Sequence, residues 1–319
     1  MDTKGLAMAS AAPFPAGSPL GAEHRSNLAR RYPLTMFLVL AFAIGVPGMV
    51  IPLLLGVPSA PGLLWLVFVA LLGSSLLVTW LADGRAGVRR LLSRVVLWRF
   101  SAWRWAIILF AVPVLTLALA AASGTLASPE RGWAAEIGWY LFNTLIFGAL
   151  SLNLWEETAW AGFAQSRWMA RHGLLVGSLI TAVFFSAIHV PLQFEGDPSW
   201  SRILASTGLV FLTALIARYL IGMHLLDTRG SILAAGVQHA SWNAAQKLEA
   251  VEGGDWEWQM VTAVALLTLL LAVGRRIRRP QARPVGPEAE KAAAAQWITP
   301  PAPRSPNQEA PAADDRHEL

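Results

Sequence analysis

Eight stretches of about twenty mostly apolar residues follow one another along most of this chain. They cover roughly residues 34–55, 62–82, 104–124, 138–160, 174–193, 203–226, 231–248 and 257–273. An apolar helix of ~20 residues crosses the hydrocarbon core of a bilayer, where the backbone polar groups must bond internally. Hydrophobic residues make up 55% of the 319 residues and charged residues only 14%, which is unusual for a soluble domain. The sequence therefore predicts an all-α polytopic membrane protein, a bundle of about eight transmembrane helices in the cell membrane.

Lysine and arginine are distributed unevenly between the connections. Every second connection carries them, and the intervening connections are short or acidic. The basic positions are Lys4, Arg25, Arg30, Arg31, Arg85, Arg89, Arg90, Arg94, Arg99, Arg167, Arg171, Arg229, Arg275, Arg276, Arg278 and Arg279. Because positively charged loops stay in the cytoplasm, both termini are predicted to be cytoplasmic. The net charge of +5 then reflects membrane topology, and no nucleic acid partner is expected.

The two ends of the chain differ in composition from its apolar middle. Residues 1–30 and 274–319 are rich in alanine, proline, glycine and charged residues. Such segments cannot bury a core, so we predict disordered cytoplasmic tails. Residues 31–273 then form the transmembrane bundle. Cysteine is absent, which excludes disulfides, thiolate metal sites and cysteine nucleophiles.

Five polar side chains interrupt the apolar segments. Glu156 and Glu157 lie in SLNLWEETAWAGF, His189 in VFFSAIHVPL, and His239 with Asn243 in AAGVQHASWNAAQ. Ionisable groups are costly at the centre of a bilayer, so they usually face the interior of a bundle and mark a site. With a rise of ~1.5 Å per residue, the three clusters meet near the middle of the membrane. This requires the helix that carries the glutamates to continue unbroken to the next arginines.

The three clusters resemble motifs of the CPBP intramembrane proteases, the CAAX-processing and Abi group that includes the Rce1-type prenyl endopeptidases. The resemblance rests on a paired-glutamate motif at EETAW, a Phe-xxx-His motif at Phe185–His189 and a His-xxx-Asn motif at His239–Asn243. It covers about residues 135–247. It implies an intramembrane endopeptidase that hydrolyses peptide bonds. The partners that it implies are a membrane-associated peptide or protein substrate and the lipid bilayer.

The resemblance also implies a role for each motif. Glu156 is expected to be the general base that takes a proton from water, with His189 holding and polarising that water. His239 and Asn243 are expected to stabilise the tetrahedral oxyanion. In an alternative mechanism, Glu156, His189 and His239 bind a catalytic divalent metal such as zinc. We favour direct activation of water, and the motifs leave metal dependence open.

Glu157 is expected to face a neighbouring helix and to need a cation there. The family pattern usually places arginine four residues after the second glutamate, whereas this chain has Ala161. Arg218, in the sixth apolar segment, either extends to the cytoplasmic interface or pairs with Glu157, and we take the pair as our hypothesis. Without such a cation, the chain would be a catalytically impaired family member that acts as an immunity or scaffold membrane protein.

Two other classes of function could use the same residues. His189 and His239 could be the axial ligands of a b-type haem, which would leave the glutamates without a role. Buried carboxylates can also serve as proton relays in a transporter. The sequence shows no inverted repeat or pair of broken helices that would support a transporter.

Overall fold

Helices build the part of the chain that the structure describes. This computed structural model describes residues 28–196, 198–251, 258–277 and 286–299. The helices are α1 (Pro33–Leu54), α2 (Ala60–Val96, interrupted at Gly84), α3 (Ala102–Ser123), α4 and α5 (residues 133–172 and 174–194 of the stretch Trp133–Phe194), α6 (Trp200–Asp227), α7 (Ile232–Ala245), α8 (Trp258–Ile277) and α9 (Pro287–Ile298). The all-α fold is therefore confirmed. Most of the predicted tails, residues 1–27, 278–285 and 300–319, lies outside the described residues.

Six helical stretches in the described residues are long and apolar enough to cross a membrane, by length and composition. One of them, Trp133–Phe194, has 62 residues and contains both α4 and α5. In contrast, α7 has 14 residues, or ~21 Å, which is shorter than the ~30 Å hydrocarbon core. It is buried inside the bundle along most of its length. A multi-pass bundle is confirmed, and the number of eight spans stays a prediction.

The reversal between α4 and α5 depends on Gly173. Its φ of 80° and ψ of 178° break the helix, and a positive φ favours glycine because it has no Cβ. The chain folds back on itself there: a Cβ added to Gly177 would lie 2.6 Å from the backbone nitrogen of Met169. The helix that carries Glu156 therefore continues to residue 172, as the predicted depth of the site requires.

Two π-helical segments flank the glutamates within α4. Asn143–Asn153 and Thr158–Gln165 are wound as π-helix, whereas Leu154–Glu157 between them is α-helical. In π-helical turns the hydrogen bonds reach five residues along the chain, and such turns are frequent at functional sites.

Small residues let α7 lie close against α4. A Cβ added to Gly236 would be 2.8 Å from the Cα of Leu154. Likewise, a Cβ on Gly148 would be 2.8 Å from the methyl group of Ala240. Close packing through small residues is typical of membrane helices. It places the polar residues of α7 next to the glutamate pair.

The connections between helices lie at two opposite ends of the bundle. We call one end the arginine face, where side chains from several connections bind one another or neighbouring carbonyls. Its participants include Arg94, Arg104, Arg167, Arg229 and Arg275. We call the other end the distal face. There the Ser59 hydroxyl donates to Glu195 at 2.8 Å, and Arg131 donates to Glu249 at 2.6 Å.

The prediction of a disordered C-terminal tail is wrong for residues 287–298, which form α9. Pro287 is in the first turn, where proline is tolerated because no backbone N–H is needed there. The Glu290 carboxylate accepts a hydrogen bond of 3.1 Å from the N–H of Leu174 at the start of α5. This contact caps α5 from outside and attaches α9 to the bundle.

One side of α9 is apolar and packs on the arginine face. Ala294 is fully buried, and Trp297 lies against Gly230, where a Cβ would be 2.8 Å from the indole ring. The same ring is 5.3 Å from the guanidinium carbon of Arg94. The helix is ordered because this docking buries apolar surface that an isolated tail would expose.

Candidate active site

A cavity of about 410 Å³ lies inside the bundle and is bounded by α2 and by α4 to α8. Glu156, His189, His239 and Asn243 line it. Glu157 is fully buried beside them. The structure therefore brings the five predicted residues together from three helices. The volume is typical of sites that hold a small molecule or a few side chains.

Glu157 is the centre of a buried hydrogen-bond network. Arg218 of α6 donates to both carboxylate oxygens, at 2.7 and 2.8 Å. His239 donates from Nδ1 to the same carboxylate at 2.8 Å. The side chains of Glu157 and Arg218 are 0% and 1% exposed, and a bidentate geometry offsets part of the cost of burying both charges. The expected pair is confirmed, so α6 supplies the cation that Ala161 cannot.

Both histidine rings are held through their Nδ1 atoms. The Nδ1–H of His189 donates to the carbonyl of Phe185 at 2.6 Å, since a carbonyl can only accept. The Nδ1–H of His239 donates to Glu157. Because each ring has its Nδ1 committed, Nε2 is the nitrogen that remains for chemistry in the cavity.

Phe185 connects the two histidines with the buried ion pair. The centroid of its ring is 4.4 Å from that of His189 and 5.9 Å from that of His239. The guanidinium carbon of Arg218 lies 4.0 Å from the same ring centroid, a cation–π contact. One aromatic side chain thus fixes the relative positions of α5, α6 and α7 at the site.

Glu156 differs from Glu157 in its unused hydrogen-bonding capacity. Its Oε1 is 3.5 Å from Nε2 of His189, and its Oε2 is 3.9 Å from Nδ1 of His239. These separations are too long for good hydrogen bonds, and Oε1 has no hydrogen-bond partner among the described residues. A carboxylate in this state can bind a water molecule that bridges to the imidazole.

Polar residues that were not predicted also line the cavity, among them Gln193, Ser206 and Gln246. Gln193 follows His189 by four residues, and Gln246 follows Asn243 by three. Residues three or four apart share a helix face, so this spacing could have identified both glutamines. Ser206 has no comparable signal in the sequence.

The zinc alternative lacks support in this geometry. No group of three or more His, Asp and Glu side chains within the described parts of the chain is arranged to hold a metal ion. The Glu156 carboxylate lies next to both imidazoles, where a bis-histidine haem would need its porphyrin. The arrangement instead suits a water molecule held between carboxylate and imidazole.

Residues 138–245 match the family model described as type II CAAX prenyl endopeptidase, Rce1-like. The match covers about a third of the chain and extends from α4 to the end of α7. It contains every predicted site residue and also Arg218. This segment belongs to the CPBP intramembrane protease family. No curated protein matches the chain.

The CPBP segment coincides with the core predicted at about residues 135–247. The family match and the apolar helices together indicate a multi-pass membrane protein whose core is similar to membrane proteases. Two helices outside the segment complete the cavity, because Leu63 of α2 and Val261 of α8 also line it. The surroundings of the CPBP site therefore depend on parts of the chain that the family match does not cover.

Proposed function

We propose that this protein is an intramembrane endopeptidase in which Glu156 activates a water molecule to hydrolyse a peptide bond. The observation that carries the proposal is the state of the Glu156 carboxylate. It is buried at the cavity wall beside two imidazoles, and its Oε1 has no partner among the described residues. The CPBP family of the segment supports the reaction class.

Glu156 and His189 hold the attacking water between them. The water donates one hydrogen to Oε1 of Glu156 and the other to Nε2 of His189, which accepts because its proton is on Nδ1. Glu156 takes a proton as the water oxygen bonds to the scissile carbonyl carbon. When the C–N bond breaks, the same proton passes to the leaving amine, and Glu156 returns to its carboxylate form.

Asn243 and His239 stabilise the oxyanion that forms during the attack. The Asn243 amide is a neutral donor, which costs less to bury than a charge. His239 donates from Nε2 only when its ring carries both protons, since Nδ1 already donates to Glu157. The Glu157 carboxylate, 2.8 Å away, stabilises that imidazolium.

The charges of the buried cluster balance when His239 is protonated. Glu156 and Glu157 contribute two negative charges, and Arg218 contributes one positive charge. A proton on His239 makes the set neutral, so no charge in the low-dielectric interior is left uncompensated. Glu157 and Arg218 therefore act as positioning residues, because the Glu157 carboxylate, held by Arg218, fixes the orientation of the His239 ring.

A catalytically impaired immunity or scaffold protein is the rival proposal, and it depended on Ala161 replacing the family arginine. Arg218 supplies a cation to Glu157 at hydrogen-bond distance. The geometry at this position therefore favours an active enzyme. A membrane-associated peptide or protein is the proposed substrate, with the bilayer as the surrounding partner.

Glu156→Gln tests the proposal, because glutamine keeps the volume but cannot take a proton from water. We expect peptide hydrolysis by the detergent-purified variant to fall at least ~100-fold, the usual contribution of a general base. A panel of fluorogenic peptides measures the rate, and size-exclusion elution with thermal unfolding measures folding. Glu130→Gln makes the same change at an exposed loop position and should keep wild-type activity. Full activity of a folded Glu156→Gln variant would remove Glu156 from the mechanism.

A chelator decides between the two ways of activating water. Direct activation by Glu156 predicts an unchanged rate for the wild-type protein after dialysis against chelator. A rate that falls, and that zinc then restores, would favour the metal-bound water of the alternative mechanism.

A further inference from the structure

The cavity runs along α6 from a closed end to an open end. Its closed end contains Ala217 and Arg218, both buried. Its other end contains Gln193, Ser206 and Gln246, all partly exposed. Ser206 and Arg218 are twelve positions apart on α6, which corresponds to roughly 18 Å. The catalytic residues lie between these two ends: His189 is four positions from Gln193, and Asn243 is three positions from Gln246, about one helical turn from the mouth.

The mouth of the cavity lies on the distal face. Gln193 is near the end of α5, Gln246 directly follows α7, and Ser206 is in the first two turns of α6. The hydrogen bond between Ser59 and Glu195 on the distal face is two residues from Gln193. A substrate that reaches Glu156 through this mouth approaches from the end opposite the arginine face.

The two faces differ in charge. The arginine face carries the basic residues of every second connection. Most described charged residues on the distal face are acidic: Glu130, Glu136, Glu195 and Glu249 are there, with Arg131, Arg202 and Lys247 as the basic ones. Arginine-rich connections stay in the cytoplasm, which places the distal face on the other side of the membrane.

We infer that the catalytic cavity opens to the extracytoplasmic side and that its substrate is an apolar peptide segment presented there. This inference rests on the proposed peptidase activity. It goes beyond that activity by stating the side of the membrane from which the site is reached and the kind of segment that fits it.

The walls of the cavity support an apolar substrate. Aliphatic side chains from five helices line it: Leu63, Leu152, Leu192, Leu209, Val210 and Val261. The ionisable groups among its lining residues are Glu156, His189, Arg218 and His239, and all of them already have a role at the site. A charged substrate side chain next to the cleaved bond would find no free partner among the lining residues, which is costly in a buried site.

Single cysteines test the sidedness, since the chain has none of its own. Arg89→Cys marks the arginine face, Lys247→Cys the distal face outside the cavity, and Ser206→Cys the mouth. Each full-length variant is treated in right-side-out membrane vesicles with a membrane-impermeant maleimide. We expect Lys247→Cys and Ser206→Cys to react at once, and Arg89→Cys to react only after detergent is added. The reverse pattern would overturn the inference.

Cleavage assays then locate the mouth and define the substrate. Modification of Ser206→Cys with a bulky maleimide should strongly reduce the rate of hydrolysis in detergent. The same modification of Lys247→Cys should leave that rate unchanged. Peptides added outside sealed vesicles should be cut without detergent, and a lysine or aspartate beside the cleaved bond should slow cleavage at least ~10-fold. Three results would each contradict the inference: full activity of modified Ser206→Cys, cleavage of external peptides only after permeabilisation, and equal cleavage rates for charged and apolar peptides.

The two levels of proposal fail in different ways. If wild-type protein in detergent cleaves no peptide, the proposed peptidase function fails, whatever the labelling shows. If it cleaves peptides but the labelling pattern is reversed, the function stands and the extracytoplasmic opening is wrong.

Discussion

Glu156 and Glu157 are adjacent in the sequence, yet they face different surroundings. Glu157 points to Arg218 and His239 in the protein interior, whereas Glu156 lines the cavity. Adjacent residues on a helix point ~100° apart, so the sequence predicts that the two have different tasks. It also predicts a cation for Glu157, because an unpaired buried charge is unfavourable.

Arg218→Ala should destabilise the protein by ~3–5 kcal/mol, because it leaves Glu157 buried without its cation. Glu157→Gln in the same background should recover part of this loss. A double-mutant cycle from chemical or thermal unfolding measures the coupling between the two side chains. Arg202→Ala is the matched control, since it removes an exposed arginine from the same helix and should have little effect. Additive effects of Arg218→Ala and Glu157→Gln would show that the pair contributes no coupling.

The orientation of the imidazoles could not be predicted from the sequence. It depends on which acceptor lies beside each Nδ1, and these acceptors are the Phe185 carbonyl and the Glu157 carboxylate. The first is a local contact four residues away, but the second joins residues 82 positions apart. Only the packed arrangement of α4 and α7 brings that second pair together.

At the scale of helices, hydropathy predicts α5 almost to the residue but places the end of α4 too early. The predicted segment 138–160 stops where polar residues begin, whereas α4 continues to residue 172. Gln165 explains the difference, because its amide donates to the carbonyl of Arg218 at 2.7 Å. Hydropathy measures compatibility with lipid, and this part of α4 is buried against protein.

The helix α9 was missed because its composition resembles that of a flexible tail. Its apolar contacts come from few residues, mainly Ala294 and Trp297. Signals of a helix start were nevertheless present, namely Pro287 followed by Glu288 and Glu290 in the first turn. The sequence could not predict the surface on which α9 docks, because that surface is formed by residues far away in the chain.

Trp297→Ala should release α9 from the arginine face. The indole covers Gly230 and Arg94, so we expect a loss of ~1–2 kcal/mol for a half-buried aromatic side chain. The expected readout is faster cleavage between residues 278 and 299 by an added protease in detergent. Trp103→Ala removes a largely exposed tryptophan, 68% accessible, and should leave that rate unchanged. An unchanged rate for Trp297→Ala would mean that other contacts hold α9.

At the scale of the whole molecule, the sequence predicts a multi-pass bundle with connections that alternate between basic and acidic. The structure agrees with both features, because the two kinds of connection lie at opposite ends of the bundle. The number of spans is harder to predict. A helix such as α7, surrounded by other helices, needs neither the length nor the apolar surface of a helix that faces lipid.

Reporter fusions test whether α7 crosses the membrane despite its 14 residues. A reporter placed after Arg229 should be cytoplasmic, and one placed after Lys247 should be extracytoplasmic, because these residues lie on opposite faces of the bundle. Paired fusions that are active on either side, such as alkaline phosphatase and green fluorescent protein, give the answer. If both positions report the same side, α7 is re-entrant and the number of eight spans is wrong.

The separation of Glu157 and Arg218 in the sequence has a consequence for biosynthesis. The two residues are 61 positions apart. The ribosome therefore releases α4 well before α6, which carries the arginine that balances the charge of Glu157. A charged residue at the centre of a helix costs ~2.5–3.5 kcal/mol during insertion by the translocon. We therefore expect the nascent chain to keep α4 next to the translocon or a membrane chaperone until α6 arrives. A substitution at Arg218 would lengthen this vulnerable interval, so cells should degrade such variants during synthesis in addition to any loss of stability in the finished protein.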